Sequence, residues 1–210
     1  MAAGDAQGER RALADLFLEL GPDAPTLCEG WRTADLAAHL VVRERRPDAA
    51  LGIVLGPLAG HTERVQRAVR DGRPWPDLVA LFRDGPPWPF RLGPVDAAMN
   101  TAELFVHHED VRRARPGWEP RASDEGLERA LWSRVRLMAR AARRAAPPGL
   151  VLVSPGFGRV EVRPGAPQVA VTGGPGELLL LLFGRQEVAR VALDGEPAAV
   201  EQVRTARFGV

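Results

Sequence analysis

The chain has no lysine and no tyrosine, and only one cysteine, Cys28, in 210 residues. A single cysteine excludes an intramolecular disulfide and a cysteine-built zinc knuckle. Cys28 itself reads as a small buried or loop residue without chemistry, and a cytoplasmic location is the default expectation. All side-chain basic charge is arginine, with 28 basic against 27 acidic residues and a net charge of +1. A nucleic-acid surface usually carries a basic stripe, and none stands out, so no nucleic-acid partner is expected. The N-terminal stretch lacks the apolar core of a signal peptide. The longest strongly apolar run, Leu178–Phe183, is far too short to span a bilayer, so no membrane partner is expected either. Histidine is also scarce: His39, His61, His107 and His108 are all there are.

Apolar residues make up 45% and charged residues 26%, as in ordinary soluble globular proteins, and the length suits one large domain or two small ones. Leu13, Leu16, Phe17 and Leu20 recur at helical spacing, which predicts a helix over 8–20 ended by Gly21-Pro22. Thr33 is placed to cap a second helix with Asp35 in its first turn and Leu36, Leu40 and Val41 on its apolar face. Pro47 stops that pattern or restarts it. Residues 61–71 read as a surface helix and 77–83 as a short one. The Pro-rich stretch Gly85–Phe90 reads as a loop whose large side chains cover a pocket or pack on the helices. Pro94 suits the first turn of a helix running to about Arg115. Its first half is apolar nearly all round, through Val95, Ala97, Ala98, Met99, Ala102, Leu104, Phe105 and Val106, which predicts burial. A further helix is expected over about 124–146. Four long helices with short connections suggest a bundle.

The texture changes at Pro147-Pro148-Gly149. Leu150–Val153, the alternation at Val160 and Val162, Val169–Val171 and Val191–Leu193 read as short strands. Pro175 opens a Leu-rich helix to Phe183, and Glu196–Ala206 reads as the last helix. The fold class expected is α+β, with a helical bundle over 1–147 and a small α+β domain over 148–210.

Glu103 and His107 stand four residues apart, so on a helix they share one face about one turn apart. A carboxylate and an imidazole so placed can chelate a divalent ion. Bundle metal sites draw ligands from facing helices, and His39, mid-helix among apolar residues, is the candidate third ligand. His39, Glu103 and His107 make a two-histidine, one-carboxylate set of the catalytic zinc kind, with a position left open. Zinc is the ion expected, although the same donors suit iron or another divalent ion. His108 lies too far round the helix to share that ion and is expected to pack or to make a supporting bond. Asp110, three residues after His107, can orient its imidazole or play no part. His61 is expected at the surface.

Trp31-Arg-Thr-Ala-Asp-Leu-Ala-Ala-His39-Leu resembles the first ligand segment of the DinB-like bundles of the mycothiol-dependent maleylpyruvate isomerase family. Glu103-Leu-Phe-Val-His107-His-Glu-Asp110-Val-Arg-Arg-Ala resembles the family's second ligand segment. Val171–Arg185 resembles part of its C-terminal domain, an α/β module similar to sterol-carrier-like folds. The three segments fall in order across nearly the whole chain. The resemblance implies a metal site at His39, Glu103 and His107 and a small-molecule thiol, mycothiol, as cofactor. It implies isomerase or thiol-transferase chemistry on a small electrophilic, carboxylate-bearing substrate, in a monomer or homodimer. In the family's isomerase the thiol adds to a cis double bond, the bond rotates, and the thiol leaves. Arg185 falls where the family carries a functional arginine, which implies a role in holding substrate carboxylates; its other reading is a helix-end charge. The His107-His-Glu-Asp-Val-Arg-Arg version sits nearer an uncharacterised metal-binding branch of actinobacterial type. A non-catalytic metal- or ligand-binding protein of the same fold is therefore the alternative.

Overall fold

The structure is a computed structural model that describes residues 2–54, 56–87, 94–121 and 123–209. It is α+β: the described residues form nine α-helices and one four-stranded sheet. They divide into two compact units, with the boundary between Glu119 and Pro120. The change of texture at Pro147 suggests a boundary at 147/148, whereas the contacts group residues from Pro120 on into one unit. The helix that precedes Pro147 groups with the C-terminal unit because its apolar stripe packs against a helix of that unit.

The helical unit contains α1 (Ala2–Leu20), α2 (Thr33–Arg45), α3 (Pro47–Val54), a 3-10 turn at Gly56–Leu58, α4 (Ala59–Asp71), α5 (Trp75–Arg83) and α6 (Pro94–Arg113). Gly21 ends α1 with a positive φ of 79°, a conformation that costs glycine little. Pro47 restarts the chain as α3. Thr33 is the first residue of α2 and not its cap. Its hydroxyl donates to the Gly21 carbonyl at 2.5 Å, and the Asp35 carboxylate accepts the Arg32 N–H at 3.0 Å. These bonds satisfy donors at the helix start that have no partner inside the helix.

The core of this unit joins Leu13 and Phe17 of α1, Leu36, Leu40 and Val41 of α2, Leu78, Val79 and Phe82 of α5, and Leu104 and Val111 of α6. Phe17 meets Trp75 and Phe82 edge-on, each at 5.8 Å between ring centroids. The helix expected at the surface, α4, is amphipathic and buries Thr62, Val65 and Val69. Trp88, Pro89 and Phe90, expected to cover a pocket or to pack on the helices, lie outside the described residues. So do the side chains expected to make the start of α6 apolar, at Val95, Ala97, Ala98 and Met99.

The C-terminal unit contains α7 (Glu125–Ala142), β1 (Leu150–Ser154), β2 (Gly158–Glu161), β3 (Val169–Thr172), α8 (Pro175–Leu182), β4 (Ala192–Gly195) and α9 (Pro197–Thr205). The sheet order is β2-β1-β3-β4, with β1 and β3 parallel and both edge strands antiparallel to their neighbours. A central strand covered on both faces should be apolar throughout, and β1 reads Leu-Val-Leu-Val-Ser. The edge strand β2 is mostly exposed. Leu178–Leu182 of α8 are all buried, against α7 and β1, which accounts for their unbroken leucine run. Among the described residues, no helix is long and apolar enough to cross a membrane.

Candidate metal centre

The helical period of α6 puts Asn100, Glu103, His107 and Asp110 on one side of the helix. On α2, His39 and Arg43 are one turn apart and meet that side. Arg43 Nη1 donates to Asn100 Oδ1 at 2.7 Å, and its Nε stands 3.7 Å from Glu103 Oε1. The rings of His39 and His107 stand edge to face, 5.7 Å apart. One ligand atom from each of His39, Glu103 and His107 lies within 4.8 Å of the others. The structure thus brings together the three residues singled out in the sequence. His39 and His107 are buried, while Glu103 keeps about 23% of its side chain exposed. Trp31 packs its ring 5.0 Å from His39, which accounts for the tryptophan in that segment.

Each nitrogen of His107 has a partner. Nε2 is 3.3 Å from Glu103 Oε1, and Nδ1 is 3.0 Å from Asp110 Oδ2. A carboxylate on Nδ1 fixes the tautomer that leaves the Nε2 lone pair for an ion, a common support for metal-bound histidine. Asp110 therefore stands where the sequence spacing suggested.

Electrostatics favour a cation here. Burial works to lower the His107 pKa, but the bonds to Asp110, Cys28 and Glu103 outweigh it and hold the imidazolium well above its ordinary range. Burial likewise works to raise the Glu103 carboxyl, yet its bond to His107 and the charges of His107, Arg43 and His39 bring it down to about 2. His39 is pushed down to about 4, by burial first and then by the charge of His107. A neutral imidazole and a carboxylate are the forms that ligate a metal. The proton on His107 supplies positive charge where a divalent ion would supply it, so the donor set and its charge fit such an ion.

Two neighbours of the centre escaped the sequence reading. Cys28 lies in a loop, as expected, but its Sγ donates to Asp110 Oδ2 at 3.3 Å and lies 3.9 Å from His107 Nδ1. Arg43 faces Glu103 from α2. Neither contact leaves a mark in the sequence, because Cys28 and His107 are 79 residues apart.

The remaining expected residues lie elsewhere. His108 is buried and pairs with Glu9 of α1, Nδ1 to Oε2 at 3.1 Å. Glu109, fully buried, binds Arg113 at 2.6 Å and Arg112 at 2.8 Å. His61 is partly exposed, 3.4 Å from Asp48. Arg185 belongs to the C-terminal unit, just past α8, where Nη1 donates to the Phe183 carbonyl at 2.6 Å.

Compared with solved structures, the chain is similar to the crystal structure of the mycothiol-dependent maleylpyruvate isomerase. The TM-score is 0.62 at 18% identity, over 93% of this chain and 92% of that one. The crystal structure of a histidine-to-alanine mutant of that isomerase gives a TM-score of 0.57 at the same identity and coverage. No protein-family profile and no curated protein sequence matches the chain. At this identity the likeness carries the α+β fold over nearly the whole length; the chemistry rests on the residues.

Proposed function

We propose that the helical unit is a DinB-like bundle built around one divalent ion held by His39, Glu103 and His107. The C-terminal unit is the small sterol-carrier-like module that accompanies such bundles. The observation that carries this reading is the convergence of two imidazoles and a carboxylate, with Asp110 setting the tautomer of one imidazole. Zinc suits the set best, because two imidazole nitrogens with one carboxylate oxygen are a donor set of the catalytic zinc kind.

The reaction proposed is isomerisation or thiol transfer that uses a small-molecule thiol, mycothiol, on a small electrophile bearing carboxylates. When bound, a divalent ion with an open position lowers the pKa of a coordinated thiol and yields a thiolate near neutral pH. The chain's own groups do the rest. Asp110 keeps the proton on His107 Nδ1, so Nε2 stays a donor. Arg43, itself bonded to Asn100, keeps its guanidinium beside the Glu103 carboxylate. Arg185 is proposed to hold a substrate carboxylate with its fork of N–H donors.

The test is incubation of the zinc-loaded protein with mycothiol and a panel of electrophiles, including cis-configured diacids. Thiol consumption and cis–trans conversion are followed by liquid chromatography. Turnover of one or more members is expected, with Arg185→Ala losing rate on carboxylate-bearing members and keeping its metal. No turnover of any member would favour the alternative, a metal-binding protein without catalysis.

A further inference from the structure

The two nitrogens of His107 face different donor sets. On the Nε2 side are Glu103 and His39. On the Nδ1 side are Asp110 Oδ2 at 3.0 Å and Cys28 Sγ at 3.9 Å, and these two are 3.3 Å from each other. Asp110 is fully buried, His107 is buried and Cys28 is half-buried. The Cys28 loop is tied down on both flanks. Leu27 N–H donates to the Asp110 carbonyl at 3.0 Å, and Cys28 N–H to Thr26 Oγ1 at 3.2 Å. The Thr26 hydroxyl in turn reaches the Trp31 carbonyl at 3.0 Å. The backbone that carries the thiol is therefore held beside the centre by a bonded loop.

We propose that Cys28 Sγ, Asp110 and His107 Nδ1 form a second metal position, alternative to the first and selective for thiophilic divalent ions. Ligands ~2.0–2.3 Å from a tetrahedral ion stand roughly 3.3–3.8 Å apart. The three distances here straddle that span, so an ion fits with shifts of a few tenths of an ångström. The donor set is sulfur, nitrogen and oxygen, softer than the nitrogen-rich first set.

The two positions compete for one ring. A neutral imidazole carries a lone pair on only one nitrogen. With the proton on Nδ1, donated to Asp110, Nε2 serves the first position. With the proton on Nε2, where Glu103 accepts it, Nδ1 serves the second. Capture there releases the Cys28 proton to solvent, leaves thiolate, carboxylate and imidazole as ligands, and changes no oxidation state. On the functional reading above, a thiophilic ion so held takes His107 from the working ion and silences the centre. The position itself does not depend on that reading.

Cadmium ion, added to metal-free full-length protein, is the probe, read by thiolate-to-cadmium absorption in the ultraviolet. In His39→Ala, which cripples the first position, the band is expected to appear and to saturate at about one cadmium per chain. Cys28→Ser is expected to give no band and still to bind one cadmium through the first position. His107→Gln is expected to weaken the band's cadmium affinity at least ~10-fold. Absence of the band in His39→Ala overturns the proposal. So does unchanged affinity in His107→Gln, which would mean that Cys28 binds alone, and so does saturation at one cadmium per two chains. Failure of the first position has a different signature: Cys28→Ser would then bind no cadmium at all.

Discussion

The two units bury different kinds of side chain. Among the described residues, Glu9, Arg10, His39, His107, His108, Glu109, Asp110 and Arg113 are buried in the helical unit, whereas Ser154 is the one buried polar side chain of the C-terminal unit. The second unit's interior is mainly leucine and valine, with leucine at five of the eight positions of α8. Burying charge is costly unless each ion is matched. Most of the helical unit's charges are matched by protein partners: Arg10 with Glu44 at 2.5 Å, Glu109 with Arg113, and His108 with Glu9. Such pairs add little net stability, although His108–Glu9 does tie α6 to α1. Around His107 the matching is different, because acidic groups there hold a proton in the place of an ion. The contrast fits the proposed reading, in which the ion-holding side chains lie in the helical unit while the interior of the other unit is apolar packing.

The sharpest way to break that contrast is to remove a ligand. In a Cys28→Ser background, which lacks the second position, His39→Ala and His107→Ala are each expected to abolish stoichiometric zinc binding, measured by elemental mass spectrometry on purified protein. Full retention of metal in either would remove the site. The complementary change is Leu180→Ala in α8, a fully buried side chain. It should cost about 2–5 kcal/mol in denaturant unfolding and leave metal content of the folded protein unchanged. A loss of metal with that variant would show that the units do not divide their roles as described. A smaller effect is expected from Asp110→Asn, which keeps the shape but weakens the hold on Nδ1–H. Metal affinity should fall about 10–100-fold in calorimetric titration.

The smallest effect is a pH profile. His107 is held protonated above the ordinary value of 6.5, so its contribution is full below that pH and is lost as pH rises through its raised folded value. His39 has the opposite sign. Its folded value of about 4 lies below 6.5, so the unfolded chain takes up the proton first and stability falls as pH drops between them. Glu103, at about 2 against 4.5, contributes above 4.5 and is lost as pH falls toward 2. The thermal midpoint of the metal-free protein should therefore peak near pH 6.5 and change by a few degrees on either side. Bound metal should flatten the alkaline side, because the ion replaces the His107 proton. A profile that rises steadily through pH 8 without metal would contradict this charge assignment.

Much of the helical unit was legible in the sequence because periodicity is local. Leu13, Leu16, Phe17 and Leu20 announced α1, and Pro94 announced the start of α6. The Glu103, His107 and Asp110 spacing was legible for the same reason, since all three ride one helix. His39 was legible as a lone buried histidine, and its Trp31 context by resemblance, but its meeting with His107 is a tertiary fact. Cys28 and Arg43 were illegible as site residues. A loop cysteine has no period, and Arg43 reads like any other charge near a helix end. Which unit α7 joins was not legible, because its apolar stripe looks the same whichever unit it packs against.

The most direct measurement is anomalous diffraction from crystals grown with zinc. One peak is expected ~2.0–2.2 Å from His107 Nε2, a His39 ring nitrogen and a Glu103 carboxylate oxygen. No peak at full zinc loading, or a peak whose ligands exclude His39, would contradict the account.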